Sequence, residues 1–95
     1  MTESKHREAV CSQVARLLRE ARRKRGLSMT ELAARAGLSH AMISFVEREL
    51  RNPTLDTMLR VCAVMEVKLG ELLTQATKEA DSTIKPRRRT TKLKD

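Results

Sequence analysis

Tryptophan and tyrosine are absent and phenylalanine occurs once, at position 45, so the chain has almost nothing from which to build an aromatic core. Its interior must come from Leu, Val, Ile, Ala and Met, a mixture that packs as helices more readily than as a sheet. The shortage of aromatics also removes the stacking platforms on which single-stranded RNA is held. No apolar run is long enough to span a bilayer, and the polar first ten residues lack the apolar centre of a signal peptide, so a cytoplasmic protein without a membrane role is expected. There is no C-x-x-C, and His6 and His40 do not fall at ligand spacing from Cys11 or Cys62, which weighs against a metal site. Both cysteines stand among apolar residues in helical patterns and are expected to be small, reduced core residues. Ser39-His40 and Ser44 lack a placed acid, and no Gly-rich phosphate loop occurs. These absences argue against an enzyme, and no cofactor is implied.

What the chain has in excess is positive charge. Twenty Lys and Arg face twelve Asp and Glu in 95 residues, a formal net charge of +8, which attracts polyanions and nucleic acid first among them. This length reads as one domain.

Val10, Val14, Leu17, Leu18 and Ala21 recur at the spacing of one helical face and predict a first helix over about residues 7–25. Basic residues Arg22 to Arg25 suit its end, and Gly26 suits its left-handed cap. Ser28 to Glu31 has the form of a capping box for a second helix from Met29 to about Ala36. Gly37 then caps that helix, and Ser39 can start a third carrying Ile43 and Val46 inward and running on toward Arg48. After Asn52-Pro53-Thr54, an apolar face of Leu55, Met58, Leu59, Cys62 and Met65 predicts a fourth helix. A fifth, from about residue 69, presents Leu72, Leu73 and Ala76. The chain thus divides into a polar N-terminal extension over 1–9, a domain over 10–77 and a flexible basic tail over 78–95 containing Lys85-Pro86-Arg87-Arg88-Arg89.

The informative stretch is 29–46. Leu32, Ala33, Ala36, Gly37, Leu38, Ile43 and Val46 stand where two short helices meeting across a tight turn need, in order, core apolar, small, left-handed and locking residues. Together with Arg51-Asn52-Pro53-Thr54-Leu55 downstream, these residues resemble the helix-turn-helix of the phage lambda repressor and Cro-like family, also called the XRE family, over residues 14–73. The resemblance implies an all-α, compact five-helix lambda-repressor-like bundle whose third helix enters the major groove. By position, it implies base contacts from His40, Ala41, Ser44 and Phe45 and phosphate contacts from Thr30, Ser39, Arg51 and Asn52. Phe45 can either meet thymine methyls or pack against a neighbouring loop or a dimer partner. Arg22 and Glu47 occupy the positions of a structural ion pair between the first and third helices. Three positions depart from the family pattern. Met29 replaces a frequent glutamine that bridges a phosphate and the third helix, and Glu49 and Glu66 stand where glycine usually follows helices three and four.

The function these readings imply is sequence-specific binding of double-stranded DNA by a transcriptional regulator, a homodimer on a palindromic operator. Leu69, Leu72 and Leu73 are the candidate dimer surface, unless they simply close the core. The alternative is an antitoxin or controller that mainly binds a protein partner and regulates its own synthesis through the same DNA-binding fold.

Overall fold

Five α-helices make up residues 3–84, the part of the chain that this computed structural model describes: α1 (Glu3–Lys24), α2 (Met29–Ala36), α3 (His40–Glu47), α4 (Leu55–Met65) and α5 (Leu69–Ile84). Four of the five end in a residue with left-handed backbone: Gly26 (φ 69°), Gly37 (φ 72°), Glu49 (φ 61°) and Glu66 (φ 57°). At all four the next residue reaches back to a carbonyl five positions earlier: Leu27 to Arg22 at 3.1 Å, Leu38 to Ala33 at 2.9 Å, Leu50 to Phe45 at 2.8 Å and Val67 to Cys62 at 3.0 Å. These are Schellman-type closures, which satisfy carbonyls that a helix end would otherwise leave unpaired. An apolar residue follows the left-handed position in each; Leu27, Leu38 and Val67 turn toward the protein, whereas Leu50 stays exposed.

α1 starts earlier and α5 ends later than the apolar periodicity predicts. Residues 3–9, read as an extension, are the first turns of α1, and residues 78–84, read as the start of a tail, complete α5. The reason is mutual packing. Ala76 and Ala80 are fully buried, and small side chains there let α5 lie close along α1. His6 meets Asp81 at 3.3 Å and Arg16 meets Glu79 at 3.5 Å along the same seam. The remainder of the expected basic tail, residues 85–95, lies outside the described residues.

Leu32 and Met65 are the largest fully buried side chains, surrounded by Val14, Leu18, Ile43, Val46, Val61, Cys62 and Leu72. Three expectations about this interior are corrected. Cys62 is buried but Cys11 is exposed. Cys11 stands one turn before buried Ala15, yet the cover ends there and it opens into a groove shared with Ala15, Val46 and Glu49. On α4 the inward stripe is Met58, Val61, Cys62 and Met65, so Leu55 and Leu59 fall on its flank and remain 66% and 52% exposed. Leu72 is 6% exposed and belongs to the core, which removes it from the candidate dimer surface; Leu69 packs partly against the core and Leu73 stays exposed.

α3 stops at Glu47 with Arg48 as cap, and the reversal at Glu49 follows at once. Glu49 and Glu66 therefore accept the left-handed backbone rather than rebuild their helix ends, at roughly 1–2 kcal/mol each for a residue with a Cβ. Each carboxylate reaches α1 or its end: Glu49 accepts a hydrogen bond from Ser12 Oγ at 2.7 Å, and Glu66 lies 3.3 Å from Arg25, the residue after α1. The Arg25–Glu66 pair is exposed and contributes under about 1 kcal/mol. Replacing Glu66 by Gly should consequently stabilise the protein by about 1 kcal/mol, raising the midpoint of thermal unfolding by about 4–8 °C. A lower midpoint would show that the ion pair outweighs the backbone strain.

Candidate nucleic-acid interface

α2, the turn at 37–39 and α3 form a wedge whose inner side is sealed by Leu32, Ala33, Ala36, Ile43 and Val46, all buried. Ser28 fixes the start of α2. Its hydroxyl accepts from Glu31 N at 3.0 Å while the Glu31 carboxylate accepts from Ser28 N at 2.8 Å. Those hydrogen bonds, the backbone one first, hold the Glu31 carboxyl below the ordinary glutamate range. At the other end of α2, Arg60 of α4 donates to the Ala36 carbonyl at 3.2 Å and pairs with Asp56 at 2.7 Å. A Cβ on Gly37 would come within 2.9 Å of that guanidinium, the movable end of a flexible side chain, so it is the φ of 72° that calls for glycine in this turn. Ser39 then caps α3, its hydroxyl accepting from Met42 N at 3.0 Å.

The far end of α3 is fixed by charge. Arg22 Nε and Nη2 donate to the two Glu47 oxygens at 2.7 and 3.0 Å, with the residues 7% and 3% exposed. The remaining Arg22 nitrogen donates to the Leu27 carbonyl at 2.8 Å, and Arg19 donates to the Glu47 carbonyl at 2.9 Å. Bonding to Glu47 raises the Arg22 pKa above the ordinary arginine value against the opposing effect of burial, so the guanidinium stays charged inside the bundle.

With both ends held, α3 presents His40 and Ala41 exposed and Ser44 and Phe45 half-buried. Thr30 near the start of α2 and Ser39, Arg51 and Asn52 around α3 are exposed as well. Phe45 is packed against its neighbouring loop, with the Arg51 guanidinium 5.1 Å from the ring centroid. Three participants were missed in the sequence. Arg19 could have been found as the residue one turn before Arg22, and Arg60 as the i,i+4 partner of Asp56. The Arg51–Phe45 stack had no local signal, because it needs the chain to double back after α3. Among the described residues no cluster of His, Cys, Asp and Glu is arranged to hold a metal ion, and no helix is long and apolar enough to cross a membrane.

A wedge of two short helices in an all-α bundle, with the second helix braced from behind and open in front, defines the helix-turn-helix class. The family model HTH_3, helix-turn-helix, matches residues 18–72, more than half of the chain. This chain therefore belongs to that helix-turn-helix family, the lambda repressor and Cro-like group, whose named relatives are transcriptional regulators. It is 40% identical over 68 residues to the HTH-type transcriptional regulator y4dJ of Sinorhizobium fredii, covering 72% of this chain and 83% of that protein. It is 32% identical over 63 residues to the HTH-type transcriptional regulator SinR of Bacillus licheniformis, covering 65% of this chain and 57% of SinR. Against the HTH-type transcriptional regulator SlrR of Bacillus subtilis the identity is 35% over 60 residues, 62% of this chain and 40% of SlrR. The chain thus spans little more than half of SinR and less than half of SlrR.

Two outcomes follow from the geometry of this site. Removing Arg22 as Arg22→Met leaves the buried Glu47 carboxylate without its cation and should cost about 3–5 kcal/mol in urea unfolding. A cost below 1 kcal/mol would mean the pair behaves as if solvated. The second concerns pH. Because the Glu31 carboxyl titrates lower in the folded chain than in the unfolded one, its cap stabilises fully above the unfolded value, about 4.3, and that contribution is lost as pH falls through the lower folded value. Unfolding midpoints of Glu31→Gln should lie below those of the unmodified chain at neutral pH and converge with them in acid; parallel curves would refute the cap.

Proposed function

We propose that this chain is a sequence-specific double-stranded DNA-binding regulator that lays α3 in the major groove and acts as a homodimer on a palindromic operator in the cytoplasm. The observation that carries this reading is the outward row of α3. An α-helix with its side chains is about 10–12 Å across, and B-DNA offers a major groove about 12 Å wide. His40, Ala41, Ser44 and Phe45 line the side of that helix left open by the core. His40 and Ser44 can exchange hydrogen bonds with base edges, and Ala41 and the Phe45 ring suit thymine methyls. Thr30, Ser39, Arg51 and Asn52 surround the row with hydroxyl, amide and guanidinium groups suited to phosphate oxygens. A net charge of +8 supplies the field that draws the duplex in.

For the dimer, the best-supported surface moves from α5 to the leucines that flank the 51–54 loop. Leu50 on one side and Leu55 and Leu59 on the other are exposed, and the two on α4 lie one turn apart. Apposing this patch with its own copy about a two-fold axis is the arrangement proposed here for reading two half-sites about 34 Å apart.

Selecting bound duplexes from a random pool tests the reading directly. His40→Ala and Ser44→Ala should each change the preferred sequence while leaving the unfolding free energy within about 0.5 kcal/mol of the unmodified chain's. Leu55→Lys with Leu59→Lys should convert a dimer to a monomer in light scattering and weaken binding to paired half-sites. Well-folded chain that retains no duplex at low ionic strength would remove DNA from the account.

A further inference from the structure

Arg51 differs from the other arginines that have a defined partner. Arg16, Arg22, Arg25 and Arg60 each hold a carboxylate, and Arg19 is spent on the Glu47 backbone carbonyl. Among the described residues, the interaction found for the Arg51 side chain is with the Phe45 ring, the chain's sole phenylalanine. The backbone brings the two together. Leu50 N and Arg51 N both donate to the Phe45 carbonyl, at 2.8 and 3.3 Å, after the left-handed step at Glu49 has reversed the chain. Ser12 of α1 holds the Glu49 carboxylate at 2.7 Å and so anchors the reversal from outside the loop.

A carboxylate partner would fix a guanidinium by neutralising it. A ring fixes it through the quadrupole of its face and leaves the whole charge and all five N–H donors for another anion. We infer that Phe45 is a positioning residue for Arg51: the ring holds a fully charged guanidinium at the outer edge of α3, ready for a phosphate of the duplex that α3 enters. Phe45 then has two duties. One side of it is available to bases, while the face under Arg51 sets the strength of the backbone contact, which is the same for every sequence. This inference rests on the DNA reading of the α3 face and assigns to one of its residues an action through another.

The coupling is measured on the full chain with a random-sequence duplex, which averages out base preference, at several salt concentrations. Phe45→Leu keeps an apolar side chain and removes the ring; Phe45→Tyr keeps the ring. Phe45→Leu should weaken binding about two- to fivefold, the range of an exposed cation–π pair, and flatten the dependence of log K on log salt. Phe45→Tyr should restore both. Arg51→Gln should reduce the salt slope by about one unit, and adding Phe45→Leu to Arg51→Gln should leave that slope unchanged and weaken binding by less than Phe45→Leu does alone. Melting curves confirm that each variant is folded. If Phe45→Leu weakens binding by the same factor with and without Arg51, the two residues act independently and the inference falls while the DNA reading stands. If the unmodified chain binds no duplex, both fall together.

Discussion

Between α1 and α3 a guanidinium and a carboxylate face each other out of reach of water, and the placement of the whole wedge depends on that meeting. Arg22 gives two nitrogens to Glu47 and the third to the Leu27 carbonyl, so one side chain ties the end of α1, the turn into α2 and the end of α3. Arg19 adds a bond to the backbone of the same glutamate. Taking both charges out of water is expensive, and an apolar pair of similar volume could hold the helices together equally well. What an apolar pair lacks is direction. A bidentate fork accepts its partner in one orientation, so α3 is fixed in rotation as well as in distance, and its outward row keeps one setting.

The arginines around the wedge form a graded series. Arg22 is buried with a carboxylate. Arg60 is half in solvent and divides itself between Asp56 and the Ala36 carbonyl at the close of α2. Arg51 is exposed and rests on a ring. Along that series the charge passes from satisfied to available, moving from the interior of the bundle to its proposed DNA edge.

Much of the fold was legible because its punctuation is local. Ser28 with Glu31, Ser39, Thr54 and the two left-handed glycines mark helix boundaries by hydrogen bonds that span only a few residues, and they give α2 its observed limits. Arg22 and Glu47 were legible only through resemblance, since 25 residues separate them and no spacing rule joins them. The misreadings arose where long-range packing decides. Polar residues 3–9 are helical because α5 lies beside them, Leu59 is exposed because Val61 takes the inward place, and Cys11 is exposed because the cover over its face ends one turn too soon. The row His40, Ala41, Ser44 and Phe45 was legible through resemblance, and assigning Ile43 and Val46 inward agreed with it for the last three, whereas the stack on Phe45 depends on a chain reversal made by a glutamate, a residue that does not announce one.

The two cysteines, so differently placed, give the molecule a built-in clock for its own opening. Burial raises the Cys62 thiol above its ordinary pKa and keeps it from reagents, while Cys11 stands in solvent. An alkylating agent would therefore take Cys11 from the closed bundle and Cys62 only during excursions that part α4 from α1 and α5. The ratio of the two rates measures how often the interior comes apart without any optical probe, a useful property in a chain with neither tryptophan nor tyrosine.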